Sequence, residues 1–259
     1  MNNDAKDIVS ALDILNTTMS FGVNVPSLGK KVMFRQITTA QQKRLAKRFL
    51  IEDKEQIVYE LLRIFKENCM DKDVVFENLT IVDLVIISLY SRIYSIGDDV
   101  TLVVRAKEED PSQDDLEIKL KLSKICENIE KMKDLQFDRM IEVEGTPYKF
   151  HCKLPTYRTI MSDYSPETAF DSDVRDCISY IHEIIIVNGE QEKKIDFLAL
   201  NQVEKNKVFE RFPAKVMTTI REKTKESANQ ISDLTLFDIT RNNIKYRQTI
   251  NPFDYYFFI

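Results

Sequence analysis

Glycine is scarce, at five residues in a chain of 259. So few cannot build the glycine-rich cradle that a nucleotide phosphate needs, and neither a P-loop nor a GxGxxG fingerprint occurs. Proline is also sparse, at seven residues, which argues against a loop-rich or low-complexity chain. Histidine occurs only at His151 and His182. His151 adjoins Cys152 in an alternating stretch, where neighbouring side chains point to opposite faces. His182 follows Cys177 by five positions on what reads as a helix, off the spacing that shares a face. No CxxC or HxxxH pair occurs, so no metal site is expected. Cys69, Cys126, Cys152 and Cys177 lie too far apart for a disulfide framework, which points to a reducing compartment. No GxSxG elbow occurs, and no catalytic residues and no cofactor are expected. No uncharged apolar window reaches the roughly 18 residues of a membrane span. The first residues carry acids early and do not read as a signal peptide.

What is present suffices for an ordinary core, since 43% of residues are hydrophobic and 31% charged. The length permits one large domain or two small ones. A net charge of −5 gives no global pull toward nucleic acid or an anionic membrane. Richness in Lys, Glu, Leu and Ile favours helices with some sheet.

Ile8, Leu12, Leu15 and Met19 recur at helical spacing over residues 5–19, as a short amphipathic helix or a frayed leader. Pro26 and Gly29 then break the chain, and Val32 and Phe34 suit a strand. Thr38 or Thr39 with Gln41 or Gln42 forms a capping box. The helix that follows turns Leu45, Phe49 and Leu50 inward and carries Lys43, Arg44, Lys47 and Arg48. That basic cluster is either a solvated face or a contact for an acidic partner. Residues 54–69 predict a helix with Ile57, Leu61, Ile64 and Phe65 on one side. Next, "LTIVDLVIISLYSRIYSIGDD" opens on Thr80 and Asp83, an acidic variant of the capping box. It is apolar on most faces, so it predicts a central buried helix ending at Gly97. Arg92 inside it must snorkel or meet a carboxylate.

The period then changes. "VTLVVRA" and "LEIKLKL" alternate around "KEEDPSQDD", giving a hairpin with a solvated acidic tip. The carboxylates there (Glu108, Glu109, Asp110, Asp114, Asp115) are too solvated for acid–base chemistry. Ser123 is placed to cap a helix running to Lys133. "FDRMIEV" and "YKFHCKL" flank "EGTP" as a second hairpin, closed by Pro155. Beyond Pro166 helices resume, with Val174, Cys177, Ile178 and Ile181 at helical spacing. Gly189 marks a turn, and two helices follow, broken before Pro213. The expected fold is α+β, mainly helical with a central β-hairpin-rich insert. Its segments are 1–98, 99–155 and 156–259, forming one compact unit.

The sequence given closes on "NPFDYYFFI". Alternation there separates Phe253, Tyr255, Phe257 and Ile259 from Asp254, Tyr256 and Phe258. Such a strip, worth about 2 kcal/mol per buried ring, either folds onto its own core or docks on a partner. Just upstream, Arg241, Lys245, Tyr246 and Arg247 mix cations with an aromatic. A nucleic-acid-binding accessory role is therefore the alternative, disfavoured because the aromatic half contains Asp254 and no adjoining cation. The contact residues expected for a protein partner are Lys43, Arg44, Lys47 and Arg48, with Phe253, Tyr255, Tyr256, Phe257, Phe258 and Ile259.

The order of these motifs resembles the T-even-type bacteriophage baseplate protein family, which includes baseplate hub and hub-assembly subunits. "VPSLGKKVMFRQITTAQQKRLAK" carries it through Pro26, Ser27, Gly29, Lys30, Arg35 and Thr38. Asp83, Arg92, Ser95 and Gly97 match a helix end, and Lys149, Lys153, Pro155 and Thr156 a strand. "KVFERFPAKV" and the aromatic segment complete the order. Relatives often carry paired cysteines after the Gly-capped helix; here "RAKEEDPSQDDLEIK" stands instead, so a zinc knuckle does not carry over. The resemblance implies a non-enzymatic structural or assembly role in the hub of a contractile-tail baseplate. It implies other baseplate or hub proteins as partners, with no membrane. The place of action would be the host cytoplasm during assembly, then the virion baseplate if the subunit is retained. A transient assembly chaperone is the alternative. Arg92 is expected to be structural, holding the helix end near Gly97 against a carboxylate.

Overall fold

The computed structural model describes residues 19–50, 54–104, 116–131, 137–162, 177–241 and 244–258, with Ile8 and Ala11. The expected leader helix, the acidic hairpin tip and the residues around Val174 lie outside the described residues, apart from Ile8, Ala11 and Met19. The architecture is α+β. The chain divides into two units, each assembled from separated segments.

The first unit comprises residues 1–74, 83–133 and 250–259. It opens on a hairpin of β1 (Ser20–Val25) and β2 (Lys30–Arg35), in register Phe21↔Phe34 and Val23↔Val32. Alternation puts Phe21, Val23, Val25, Val32 and Phe34 in the core. Gly29, at φ 59°, closes the turn, and its N–H bonds the Val25 carbonyl at 3.0 Å.

Helix α1 (Thr39–Phe49) starts at the expected capping box, with Thr38 as N-cap and Gln41 returning the bond. Gln41 is buried and does more than cap. Its amide pairs with that of Asn68 in both directions, at 2.9 and 3.2 Å. Asn68 ends α2 (Lys54–Asn68), so one side chain ties the start of α1 to the end of α2.

Helix α3 (Ile81–Ser95) is the central apolar helix, with Leu84, Val85, Ile86, Ile87 and Leu89 buried. Its first two residues belong to the second unit. Asp83, fully buried, accepts the Ser27 N–H at 3.0 Å and so fixes the β1–β2 turn. Gly97 has a positive φ of 148°, and its N–H bonds the Arg92 carbonyl at 3.1 Å. A hairpin of β3 (Asp99–Val104) and β4 (Leu116–Lys121) precedes α4 (Leu122–Lys131). Ser123 does not cap α4, because it already lies within the first turn. Asp98 instead accepts both the Ser123 N–H, at 2.7 Å, and its hydroxyl, at 2.8 Å.

The second unit comprises residues 75–82 and 134–249. Its sheet runs β5 (Asp138–Glu142), β6 (Tyr148–Lys153), β7 (Ile181–Asn188) and β8 (Gln191–Asp196), all antiparallel neighbours. The helical reading through Ile181 is corrected. Cys177–Ser179 is helical, and Ile181 begins β7. A run such as "IHEIIIV" fits a buried strand as well as a helix, and β-branched side chains favour the pleated sheet. Strand content thus continues past Pro155. The first hairpin (β3–β4) falls in one unit and the second (β5–β6) in the other, so the division differs from the three sequence segments. Burial of nonlocal partners, which no local pattern reports, sets it.

Residues 75–82 join this unit through Phe76, edge-on to Tyr157 at 5.0 Å, and through the bond from the Tyr157 N–H to the Leu79 carbonyl. Tyr157 opens the short α5 (Tyr157–Ser162). Helix α6 (Gln202–Phe209) and α7 (Ala214–Asp233) flank Pro213, as expected. Val216, Ile220, Thr224 and Ser227 form the buried stripe of α7. Phe212 contacts Tyr148, Phe150 and Phe209, all edge-on, at 5.0, 5.5 and 5.7 Å. Strands β9 (Leu236–Arg241) and β10 (Ile244–Thr249) form a last hairpin.

Thr38→Ala is expected to destabilise by about 1 kcal/mol, as for a lost N-cap. Gln41→Ala is expected to destabilise by about 2–3 kcal/mol, because it also strands the buried Asn68 amide. Urea unfolding of the two variants checks this, and equal losses would refute the tie.

Candidate partner-binding surface

The basic cluster on α1 has two faces. Residues 43 and 47 are one helical turn apart and point outward, exposed. Residues 44 and 48 point toward α2. Arg44 donates to both Glu67 oxygens at 2.9 Å, and its Nε donates to Glu60 at 2.7 Å. Its Nη2 also contacts Glu60. Arg48 and Arg63 approach the other Glu60 oxygen at 3.9 Å.

Glu60 is only 5% exposed, so this convergence balances a carboxylate removed from water. Hydrogen bonds to Glu67 and then Glu60 raise the Arg44 pKa further above its ordinary value. The bond from Arg44 lowers that of Glu67. Arg44 and Arg48 are therefore engaged within the chain. Lys43 and Lys47 remain outward, in line with Leu50, which is 79% exposed. Leu50 was expected to face inward. It caps the helix C-terminus at the last turn, past the stripe that Leu45 buries.

The aromatic segment is not an extended strand. Tyr255–Phe258 forms a 3-10 turn. Adjacent Phe257 and Phe258 are both buried, which strand alternation forbids and a tight turn allows. Phe258 meets Phe65 of α2 at 6.2 Å between ring centroids, and its carbonyl accepts Gln42 Nε2 at 3.4 Å. Ile250 and Pro252 are buried as well, and the Pro252 carbonyl accepts the Ser88 hydroxyl of α3. The segment thus packs on its own unit. Phe253 is partly exposed. Ile259 and the side chains of Tyr255 and Tyr256 lie outside the described residues. Signals for this docking site stood in the sequence as Ser88 and Gln42, polar residues on otherwise packed faces.

Arg92 meets no carboxylate among the described residues. Its Nη1 donates to the Gly97 carbonyl at 2.5 Å, and its Nε is sealed without an acceptor. Burial lowers its pKa.

In the second unit, His151 bonds Asp138 at 2.6 Å, beside Lys153 at 3.1 Å. His182 Nε2 is buried with no partner. Burial pushes the Cys152 and Cys126 thiols up to about 12, which makes both poor nucleophiles at neutral pH. Among the described residues, no three His, Cys, Asp or Glu side chains group as a metal site. No described helix is long and apolar enough to cross a membrane.

These features define a mixed α+β protein whose internal charges and aromatic rings serve packing, with an outward basic stripe on α1. The chain matches the T4 bacteriophage base plate protein family over residues 17–237 and belongs to it. No curated protein and no solved structure matches it.

Phe258→Ala is expected to destabilise the first unit by about 3–5 kcal/mol, as for other buried aromatic truncations. Calorimetry or urea unfolding measures this, and a loss below about 1 kcal/mol would mean the ring is dispensable to the core. A second expectation concerns pH. Burial holds His182 below the ordinary histidine value, so the unfolded chain takes the proton first as pH falls. Stability is then fully present above about pH 6.5 and declines below it. His182→Phe is expected to flatten that decline in urea midpoints taken at several pH values; an unchanged slope would assign it elsewhere.

Proposed function

We propose that this chain is a non-enzymatic subunit of the baseplate hub in a contractile phage tail. It works by presenting fixed surfaces to neighbouring baseplate proteins while the particle is built in the host cytoplasm. The observation that carries the reading is family membership across residues 17–237. The structure adds support of two kinds. Glu60 is a carboxylate paired for packing, and the Asp138–His151–Lys153 group lies toward the surface. The contact surface we assign is the outer stripe of α1, where Lys43 and Lys47 run in line with the exposed Leu50. A stripe of two cations ending on an aliphatic side chain fits an acidic partner face with an apolar edge. Within the aromatic segment, Phe257 and Phe258 support the scaffold beneath that stripe, through Gln42 and Phe65.

Two measurements test this. Mass spectrometry of purified virions is expected to find the chain as a stoichiometric component; its absence from virions made in its presence would point to a transient assembly chaperone. Lys43→Glu with Lys47→Glu is expected to leave melting unchanged, because both are solvated. The same pair is expected to reduce incorporation into baseplates at least about tenfold, the effect of losing 1.4 kcal/mol of binding. Normal incorporation would remove α1 as the contact.

A further inference from the structure

Among the ionisable side chains buried in the unit that holds α1 to α4, Glu60 and Arg92 are treated differently. Glu60 has three guanidiniums around it. Arg92, 8% exposed, has no acid among the described residues. Its single bond is to a backbone carbonyl, and its Nε is sealed without an acceptor. The carbonyl end of α3 offers it roughly half a negative charge, which leaves a full guanidinium incompletely balanced. The nearest acid in sequence is Asp98, and it is turned away to hold Ser123 at the start of α4.

A buried cation without a counter-charge is costly to keep. Locally the guanidinium serves one backbone carbonyl, that of Gly97. The helix face around it is tied to neighbouring segments, and one guanidinium nitrogen is not sealed. On the same stripe of α3, the Ser88 hydroxyl is bonded to the Pro252 carbonyl, and the Ser95 hydroxyl accepts the Ile37 N–H at 2.9 Å. Nη2 has no bond and is not among the sealed atoms. One turn beyond Arg92, Ile96 stands 38% exposed.

We propose that Arg92 is the receptor for a single carboxylate, an Asp or Glu side chain of a docking partner, received at the end of α3 beside Ile96. Nη2, the one guanidinium nitrogen neither bonded nor sealed, matches one carboxylate oxygen in charge and donor geometry. The exposed Ile96 beside it is an apolar neighbour of the kind that shields such a pair from water. The partner's role rests on the docking function proposed above; the carboxylate site itself does not.

The first test needs only the full-length protein with nitrogen-15 arginine side chains. Sodium propionate is titrated against sodium chloride at equal ionic strength, and inorganic phosphate is run in parallel. The Arg92 Nε–H resonance, assigned by its loss in Arg92→Met, is expected to shift saturably with propionate and only linearly with chloride. A propionate response no different from chloride overturns the proposal, and so does saturation by phosphate alone.

The second test is Arg92→Met in phage. An apolar replacement of similar volume is expected to melt within about 2 °C of the wild type or higher, because it removes an unpaired buried charge. Baseplate incorporation is expected to fall at least about tenfold. Unimpaired incorporation overturns the partner's role. A variant that unfolds makes Arg92 structural for this assay and leaves the propionate titration on the wild-type chain to decide. Saturable propionate binding in a chain that never enters virions would sink the hub reading and leave the carboxylate site standing.

Discussion

Glu60 is the point on which the arrangement of α1 and α2 depends. A carboxylate at 5% exposure is tolerable only if cations or hydrogen-bond donors replace the water it has lost. Arg44 supplies that replacement, with bonds to both Glu60 and Glu67. The two acids stand seven residues apart on α2, two turns along one face, so a single guanidinium between them sets both distance and rotation of α1. Glu60 is buried but Arg44 is 42% exposed, so the pair lies between the about 3–5 kcal/mol lost on breaking a fully buried pair and the at most about 1 kcal/mol of an exposed one. That contrast separates Glu60 from surface pairs such as Lys149 with Glu142. It also divides the basic cluster. Once residues 44 and 48 turn toward α2, helical spacing leaves residues 43 and 47 on the other side. The outward surface is thus a by-product of an internal charge requirement.

The same unit has a second dependence, on chain ends that are far apart in sequence. Residues 250–258 return to pack against α1, α2 and α3, through Gln42, Phe65 and Ser88. The intervening residues 134–249, with 75–82, build the other unit. A core completed by a segment so distant in sequence closes late, because long loop closure must precede its contacts. A chain deprived of that segment has a hydrophobic groove in place of a finished core.

Much of the fold was legible because its signals are local. The Thr38–Gln41 cap, the apolar body of α3, the break at Pro213 and the turns at Gly29, Gly145 and Gly189 each act within a few residues. The strand at Ile181 was not, since a short run of isoleucine satisfies either period and only pairing with Tyr148–Cys152 decides it. Ser123 misled for a related reason: the group that caps α4 comes from Asp98, across the β3–β4 hairpin. The contact surface was half legible. Spacing located the basic cluster, but which cations face α2 depends on where Glu60 and Glu67 arrive. The aromatic segment showed that burial was needed without showing where, because its binding groove is made by three other helices.

Arg92 is where sequence logic and structure part in an informative way. A charge inside an apolar helix demands a partner, and for Glu60 the chain supplies one. For Arg92 it supplies a carbonyl and half a helix dipole, and it commits the nearby Asp98 elsewhere. The difference is not one of space, since the acid one residue past Gly97 is held by two good bonds of its own. A fold that balances one buried charge with three partners has the means to balance another. Leaving Arg92 short of an acid among the described residues, at a helix end beside the exposed Ile96, is what an incomplete half of an interface requires: stability is held back within the subunit and recovered when a carboxylate from outside arrives.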